Sequence, residues 1–109
     1  MNIDSKNKKI LIGDMLELGK HSIKLHKEAI KVINNSKVNK VFVYGKYMNK
    51  VFNKIKTQKK GRILKNKNEI IDLIKNDLKK NDYLMVKGSN ATGLNMIFSK
   101  IKRGNLNAV

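Results

Sequence analysis

Apolar positions in this chain come in two alternating kinds. Four short runs are almost continuously apolar: Ile10-Leu11-Ile12, Val41-Phe42-Val43-Tyr44, Ile63-Leu64 and Tyr83-Leu84-Met85-Val86. Each is too short for a helix, and none alternates with polar residues, which predicts strands covered on both faces. Ile63-Leu64 is the shortest and carries the weakest strand signal. Between the runs, apolar residues recur at intervals of three and four, as on one side of a helix. Ile23, His26, Ile30 and Ile33 form one such stripe, and Met48, Val51, Phe52 and Ile55 a second. Ile70, Ile74 and Leu78 form a third, with Leu73 beside it, and Leu94, Ile97, Phe98 and Ile101 a fourth. Asn66-Lys67-Asn68-Glu69 has the order of a capping box, and Asp72 follows early in that helix, where the dipole favours an anion. No proline interrupts any of these segments.

Strand and helix signals alternate from Ile10 to Ile101, which predicts an α/β, Rossmann-like three-layer domain: a mainly parallel sheet of about four strands with helices on both faces. A length of 109 residues fits one domain spanning 1–109, with 1–7 and 104–109 as loose ends. The lysine-rich stretch Lys54–Lys60 reads as the end of the second helix followed by a solvated loop. There is no internal repeat and no linker.

Composition narrows the chemistry. Without cysteine there is no disulfide framework and no thiolate metal site. His21 and His26 are the only imidazoles, and no metal-ligand spacing stands out. The polar start lacks the apolar segment of a secretory signal, and no run reaches the roughly 18–20 residues of a membrane span. A cytoplasmic setting follows. The formal net charge of +17 draws attention to polyanions. Yet 23 of the 25 basic residues are Lys, and they are spread along the chain. With 15 Asn and 13 Ile, this is the usage an AT-rich genome favours. Arg, the residue suited to bidentate phosphate and guanine recognition, is confined to Arg62 and Arg103. A solvated basic surface and an electrostatic footprint both fit. The second makes a small basic nucleic-acid-binding module the alternative function, with Tyr44, Tyr47 and Phe52 as candidate stacking residues. A stand-alone small-ligand module on the same kind of sheet is a third.

In a parallel sheet, ligands bind beyond the carboxyl ends of the strands. That directs attention to the glycine-bearing exits Gly13–Gly19, Gly45-Lys46-Tyr47 and Lys87–Gly93. After the fourth strand, backbone N–H groups at Gly88-Ser89, the Ser89 hydroxyl and the Lys87 ammonium suit a carboxylate or phosphate. Equally, Ser89 or Thr92 could simply cap a helix beside a solvated Lys87. After the first strand, Asp14 and Glu17 are acids in a basic chain. Asp14 suits a substrate ammonium or a metal-bound water, or else caps a turn while Glu17 pairs with a lysine. His26 reads as a hydrogen-bonded core residue or as a catalytic group, and His21 as an exposed first-turn residue. No phosphate-loop or dinucleotide glycine motif is present, and no nucleophile–base pair is visible.

The run Lys9–Gly19 (KILIGDMLELG), followed by Ser22 and His26, resembles the opening of the carboxy-terminal domain of the Mur ligases. Asp82–Ser89 (DYLMVKGS) resembles the segment near that domain's end, and the spacing between the two is similar to the family's. The pattern is closest to the members that add D-alanyl-D-alanine. The resemblance implies a ligase of peptidoglycan biosynthesis, an enzyme of cell wall and cell shape. It would join an acid to an amino acid or peptide, using ATP and magnesium to form an acyl phosphate that the dipeptide amine attacks. It implies D-alanyl-D-alanine as the partner of this domain, held by Lys87, Gly88, Ser89 and Asn90 with Asp14 and Glu17 lining the cleft. His26, Gly45 and Lys46 would brace it. ATP and UDP-N-acetylmuramoyl-tripeptide would be bound mainly by central and amino-terminal domains that this sequence lacks. No specific nucleic-acid partner is implied. The sequence departs from the family at Asn90, where Arg is frequent, and at Asn95, where Glu is frequent; both changes remove charge near the implied site. The family's phosphate loop and D-x-Y-N-A-N-P segment are absent. The chain is therefore expected to be inactive alone, as a piece of a longer enzyme or the product of a split or eroded gene.

Overall fold

A computed structural model describes residues 7–79 and 82–88. Four strands form one sheet: β1 (Asn7–Gly13), β2 (Lys40–Tyr44), β3 (Lys60–Leu64) and β4 (Asp82–Lys87). Their order is β3-β2-β1-β4, and every pairing is parallel. The described helices are α1 (Ile23–Asn34), α2 (Lys46–Val51) and α3 (Lys67–Asp72).

Both faces of β1 and β2 are buried, which is why those two strands read as continuous apolar runs, whereas β4 buries Leu84 on one face and leaves Met85 exposed on the other. Ile10, Ile12, Val41 and Val43 face α1 and α2, where Ile30, Ile33, Met48, Val51 and Ile55 complete one core. Leu11, Phe42, Leu64 and Leu84 face the other way, onto Ile70, Leu73 and Ile74. The layers are thus helix, sheet, helix. The chain runs outward from β1 through β2 to β3, then returns across the opposite face to place β4 on the free side of β1.

Local chemistry sets the element ends. Ser22 caps α1 by accepting the Leu25 N–H at 2.9 Å. Asn66 caps α3 by accepting the Glu69 N–H at 3.0 Å, while Glu69 reaches back to the Lys65 N–H. The box expected from the sequence is therefore present, one residue wider than its usual form.

Several expectations shift. The second apolar stripe does not stay α-helical. α2 ends at Val51, a 3₁₀ turn covers Phe52–Lys54, and Ile55 enters the core from extended backbone. The third stripe widens into a π-helical turn, Leu73–Asp77, which buries Leu73 and Ile74 together and releases Leu78 into extended backbone. Lys54–Lys60 is not simply a solvated loop. It holds a second 3₁₀ turn, Thr57–Lys59, and the Lys59 ammonium donates to the Ser36 and Val38 carbonyls at 2.9 and 2.5 Å. β3 begins at Lys60, earlier than its apolar pair suggests. Its register slips between Val41 and Val43, where Gly61 lies so close to Phe42 and the Val41 carbonyl that a Cβ would sit 2.7 Å from each. Asn7, expected in a loose end, is the first residue of β1 and pairs with Asp82.

Candidate functional site

With all strands parallel, the exits after β1, β2 and β4 share one pole of the sheet. The order of strands reverses between β1 and β4, so the crevice of the fold opens there. Ile12 pairs with Lys87, which sets Gly88, one residue on, level with Gly13. Lys87 and Gly88 are exposed. The two segments singled out in the sequence therefore meet side by side. Ser89 and Asn90 lie outside the described residues, as do Asn95 and the helix expected over Leu94–Ile101.

Asp14, directly after β1, is buried, and its carboxylate serves another element. Oδ1 accepts the N–H groups of Tyr47 at 3.0 Å and Met48 at 2.9 Å, and Oδ2 accepts that of Tyr47 at 3.2 Å. Those are first-turn donors of α2 with no partner inside the helix, and its own N-cap residue, Gly45, has no side chain to offer. Asp14 thus caps a helix 33 residues away and ties the β1 exit to the β2 exit. Gly45 makes this geometry available. Its φ of +127° and ψ of 163° are glycine territory, and a Cβ there would lie 2.5 Å from the Asp14 carboxylate.

His26 is fully buried on α1. Nδ1 lies 2.5 Å from the Ser22 carbonyl and donates to it, while Nε2 accepts the Met15 N–H at 2.9 Å. Those partners assign a neutral ring protonated on Nδ1. Asp14 Oδ1 stands 4.0 Å from Nε2, outside hydrogen-bond distance. His21, expected to be an exposed first-turn residue, precedes the N-cap and is half-buried, with Nδ1 donating to the Met15 carbonyl at 2.9 Å. Two imidazoles therefore hold the backbone of one residue, Met15, through the two peptide units that flank it. Tyr47 closes the cluster, its ring stacked on His26 at 5.5 Å and tilted against His21 at 4.8 Å. Lys46 and Lys50 lie over that ring at 5.9 and 5.8 Å.

The rest of the β1 exit differs in kind. Glu17 and Lys20 exchange backbone hydrogen bonds of 2.9 Å each, making a two-residue hairpin around Leu18 and Gly19. Both central residues have positive φ, 52° for Leu18 and 78° for Gly19, the pattern of a type I′ turn. Leu16 and Leu18 are 47% and 94% exposed. Glu17 is exposed and, with Leu18, Lys20, Ser22, Lys24, Leu25 and Glu28, borders a cavity of about 370 Å³ between the hairpin and α1.

Of the residues singled out in the sequence, Lys87 and Gly88 stand at the crevice beside Gly13. Asp14, Gly45 and His26 form the frame behind it, Lys46 lies over the Tyr47 ring, and Glu17 sits on the hairpin. Among the described residues, no three His, Asp or Glu side chains come together as a metal site, and Asp14 is engaged with α2. No step involving magnesium or ATP is assigned to them. The candidate stacking aromatics serve the core: Tyr44 packs on the Leu11 cluster, Phe52 on the Ile10 cluster, and Tyr47 on the histidines. No helix among the described residues is long and apolar enough to cross a membrane.

The family model for the Mur ligase, glutamate ligase domain, matches residues 2–90. The UDP-N-acetylmuramoyl-tripeptide–D-alanyl-D-alanine ligase of Rickettsia prowazekii is 30% identical over 95 residues, covering 87% of this chain and 21% of the relative. The enzyme of the same name from Buchnera aphidicola subsp. Baizongia pistaciae is 35% identical over 96 residues, covering 86% of this chain and 20% of the relative. The chain thus spans about a fifth of the length of these curated relatives. No solved structure matches it.

Proposed function

The chain belongs to the carboxy-terminal domain family of the Mur ligases, and from that premise we propose that it is the acceptor-side domain of an ATP-dependent amide-bond ligase of peptidoglycan precursor synthesis. Its ligand is D-alanyl-D-alanine, bound at the β1/β4 crevice. Lys87 pairs with the dipeptide carboxylate, the backbone N–H of Gly88 adds a donor, and Ser89 and Asn90 belong to the same proposed site. Held by its carboxylate, the dipeptide directs its amine at the activated tripeptide carboxyl. Asp14, Gly45 and His26 position this crevice from behind. UDP-N-acetylmuramoyl-tripeptide, ATP and magnesium are bound by polypeptide outside this chain, which alone carries out no ligation. The setting is the cytoplasm, where the nucleotide-linked precursor is made.

The observation that carries this reading is the register of β1 with β4, which brings both family-like segments to the switch point of the sheet. The test is kinetic. In a chimera of the Rickettsia prowazekii relative whose matched segment is replaced by this chain, Lys87→Ala should raise the KM for D-alanyl-D-alanine about tenfold or more, the worth of one charge-assisted hydrogen bond. The KM for ATP should change far less. A larger effect on ATP than on the dipeptide contradicts the role given to Lys87.

A further inference from the structure

The hairpin Glu17–Lys20 is built like an arm that presents one side chain. Its base is fixed on both sides of Met15, by His26 on the N–H and by His21 on the carbonyl. Its neck is closed by the two hydrogen bonds between Glu17 and Lys20. At its tip stands Leu18, 94% exposed, on left-handed backbone that disfavours Leu and suits Gly or Asn. Among the described residues no core cluster includes Leu18, which borders only the open cavity between the hairpin and α1. An apolar residue kept in an unfavourable conformation, fully in water, on a pre-ordered support, matches the anchor residue of a protein interface. The surroundings match as well. The adjoining cavity is bordered by Glu17 and Glu28 against Lys20 and Lys24, so this patch is electrically balanced on a chain of net charge +17. Balanced charge around an apolar centre is the make-up of an interface rim.

We propose that this hairpin is the contact through which the domain docks on the remainder of a ligase, with Leu18 inserted into an apolar pocket of that polypeptide. The inference rests on the family reading above. The occupant follows from length: the relatives carry about four-fifths of their chains outside the segment matched here, and that bulk must be held against this domain. Leu18 lies at the same pole as the β1/β4 crevice, so docking there orients the crevice toward the rest of the enzyme.

Amide hydrogen exchange at Leu18 and Gly19 tests this, comparing the isolated chain with the Rickettsia chimera. Exchange should slow at least tenfold in the chimera. In the chimera, Leu18→Asn should restore fast exchange and lower kcat/KM about tenfold, the loss expected of an interface anchor, while Leu18→Met retains both properties. In the isolated chain, Leu18→Asn should leave Tm unchanged or raise it, because Asn accepts left-handed backbone. Equally fast exchange in both forms, or a chimera indifferent to Leu18→Asn, overturns the proposal, and a lower Tm for the isolated variant assigns Leu18 to the fold instead. The exchange readout needs no turnover. A chimera with a protected hairpin but a dipeptide KM insensitive to Lys87 separates failure of the crevice reading from failure of the docking one.

Discussion

The two halves of the β1 exit share seven consecutive residues and have little else in common. Gly13–Met15 is buried or half-buried and held by five side-chain hydrogen bonds reaching Asp14 and Met15 from α1, α2 and His21. Leu16–Gly19 is exposed and, among the described residues, is held by the backbone hydrogen bonds between Glu17 and Lys20. The first half fixes where the strands end relative to one another. The second half offers surface. A motif that reads as one acidic glycine loop is therefore a frame and an arm joined end to end, and its two acids do different things: Asp14 caps α2, and Glu17 stands on the arm.

The strongest way to break the frame is Gly45→Ala. A Cβ at this φ, 2.5 Å from the Asp14 carboxylate, must both strain the backbone and push the cap off α2. The combined cost should be about 2–5 kcal/mol, read as a lower denaturation midpoint with an unchanged m-value. A loss under about 0.5 kcal/mol would mean that Asp14 does not hold α2.

A smaller effect separates this pole from the other. At the amino ends of β1 and β4, Lys9 Nζ lies 2.8 Å from Asp82 Oδ2, which also accepts the Lys79 N–H at 2.9 Å. Burial pushes the Asp82 carboxyl up, but the Lys9 and Lys79 hydrogen bonds, the Lys9 charge and the Asn7 side chain outweigh it and hold the group below its ordinary value of 3.8. A depressed folded pKa stabilises the protein fully above the unfolded value, and that contribution disappears as pH falls through the folded value. Asp82→Asn should therefore lower stability at neutral pH, by less than Gly45→Ala does, and flatten the loss of stability below about pH 4. The hairpin should be unaffected. An unchanged acid limb would contradict the ion pair's contribution.

Much of this architecture was legible. Continuous apolar runs mark β1 and β2 because both of their faces are covered, the run Tyr83–Val86 marks β4 although Met85 is exposed there, and the 3/4 spacing marks α1 because its buried side is one unbroken stripe. The failures have physical causes. β3 was under-read because it is the outermost strand on its side, so Lys60 and Arg62 are tolerated there, with Arg62 lying over the Phe42 ring at 5.6 Å. The second apolar stripe is longer than α2 because Ile55 is buried as a helical stripe requires, yet reaches the core after a 3₁₀ turn. The capping of α2 was illegible: a carboxylate accepting from backbone 33 residues away leaves no local pattern, only an acid after one strand and a glycine after the next. The juxtaposition of Gly13 with Lys87 and Gly88 was inferable from strand order alone, whereas the division of the β1 exit into frame and arm needed φ values and burial.

That division is the centre of this account, and amide exchange across Gly13–Lys20 and Tyr47–Met48 in the isolated chain tests it directly. The amides of Met15, Tyr47 and Met48, each bonded to a buried side chain, should exchange only on opening that approaches global unfolding. Those of Leu18 and Gly19 should exchange at nearly the rate of free peptide. Uniform protection across the loop, or fast exchange at Met15 and Met48, would contradict it.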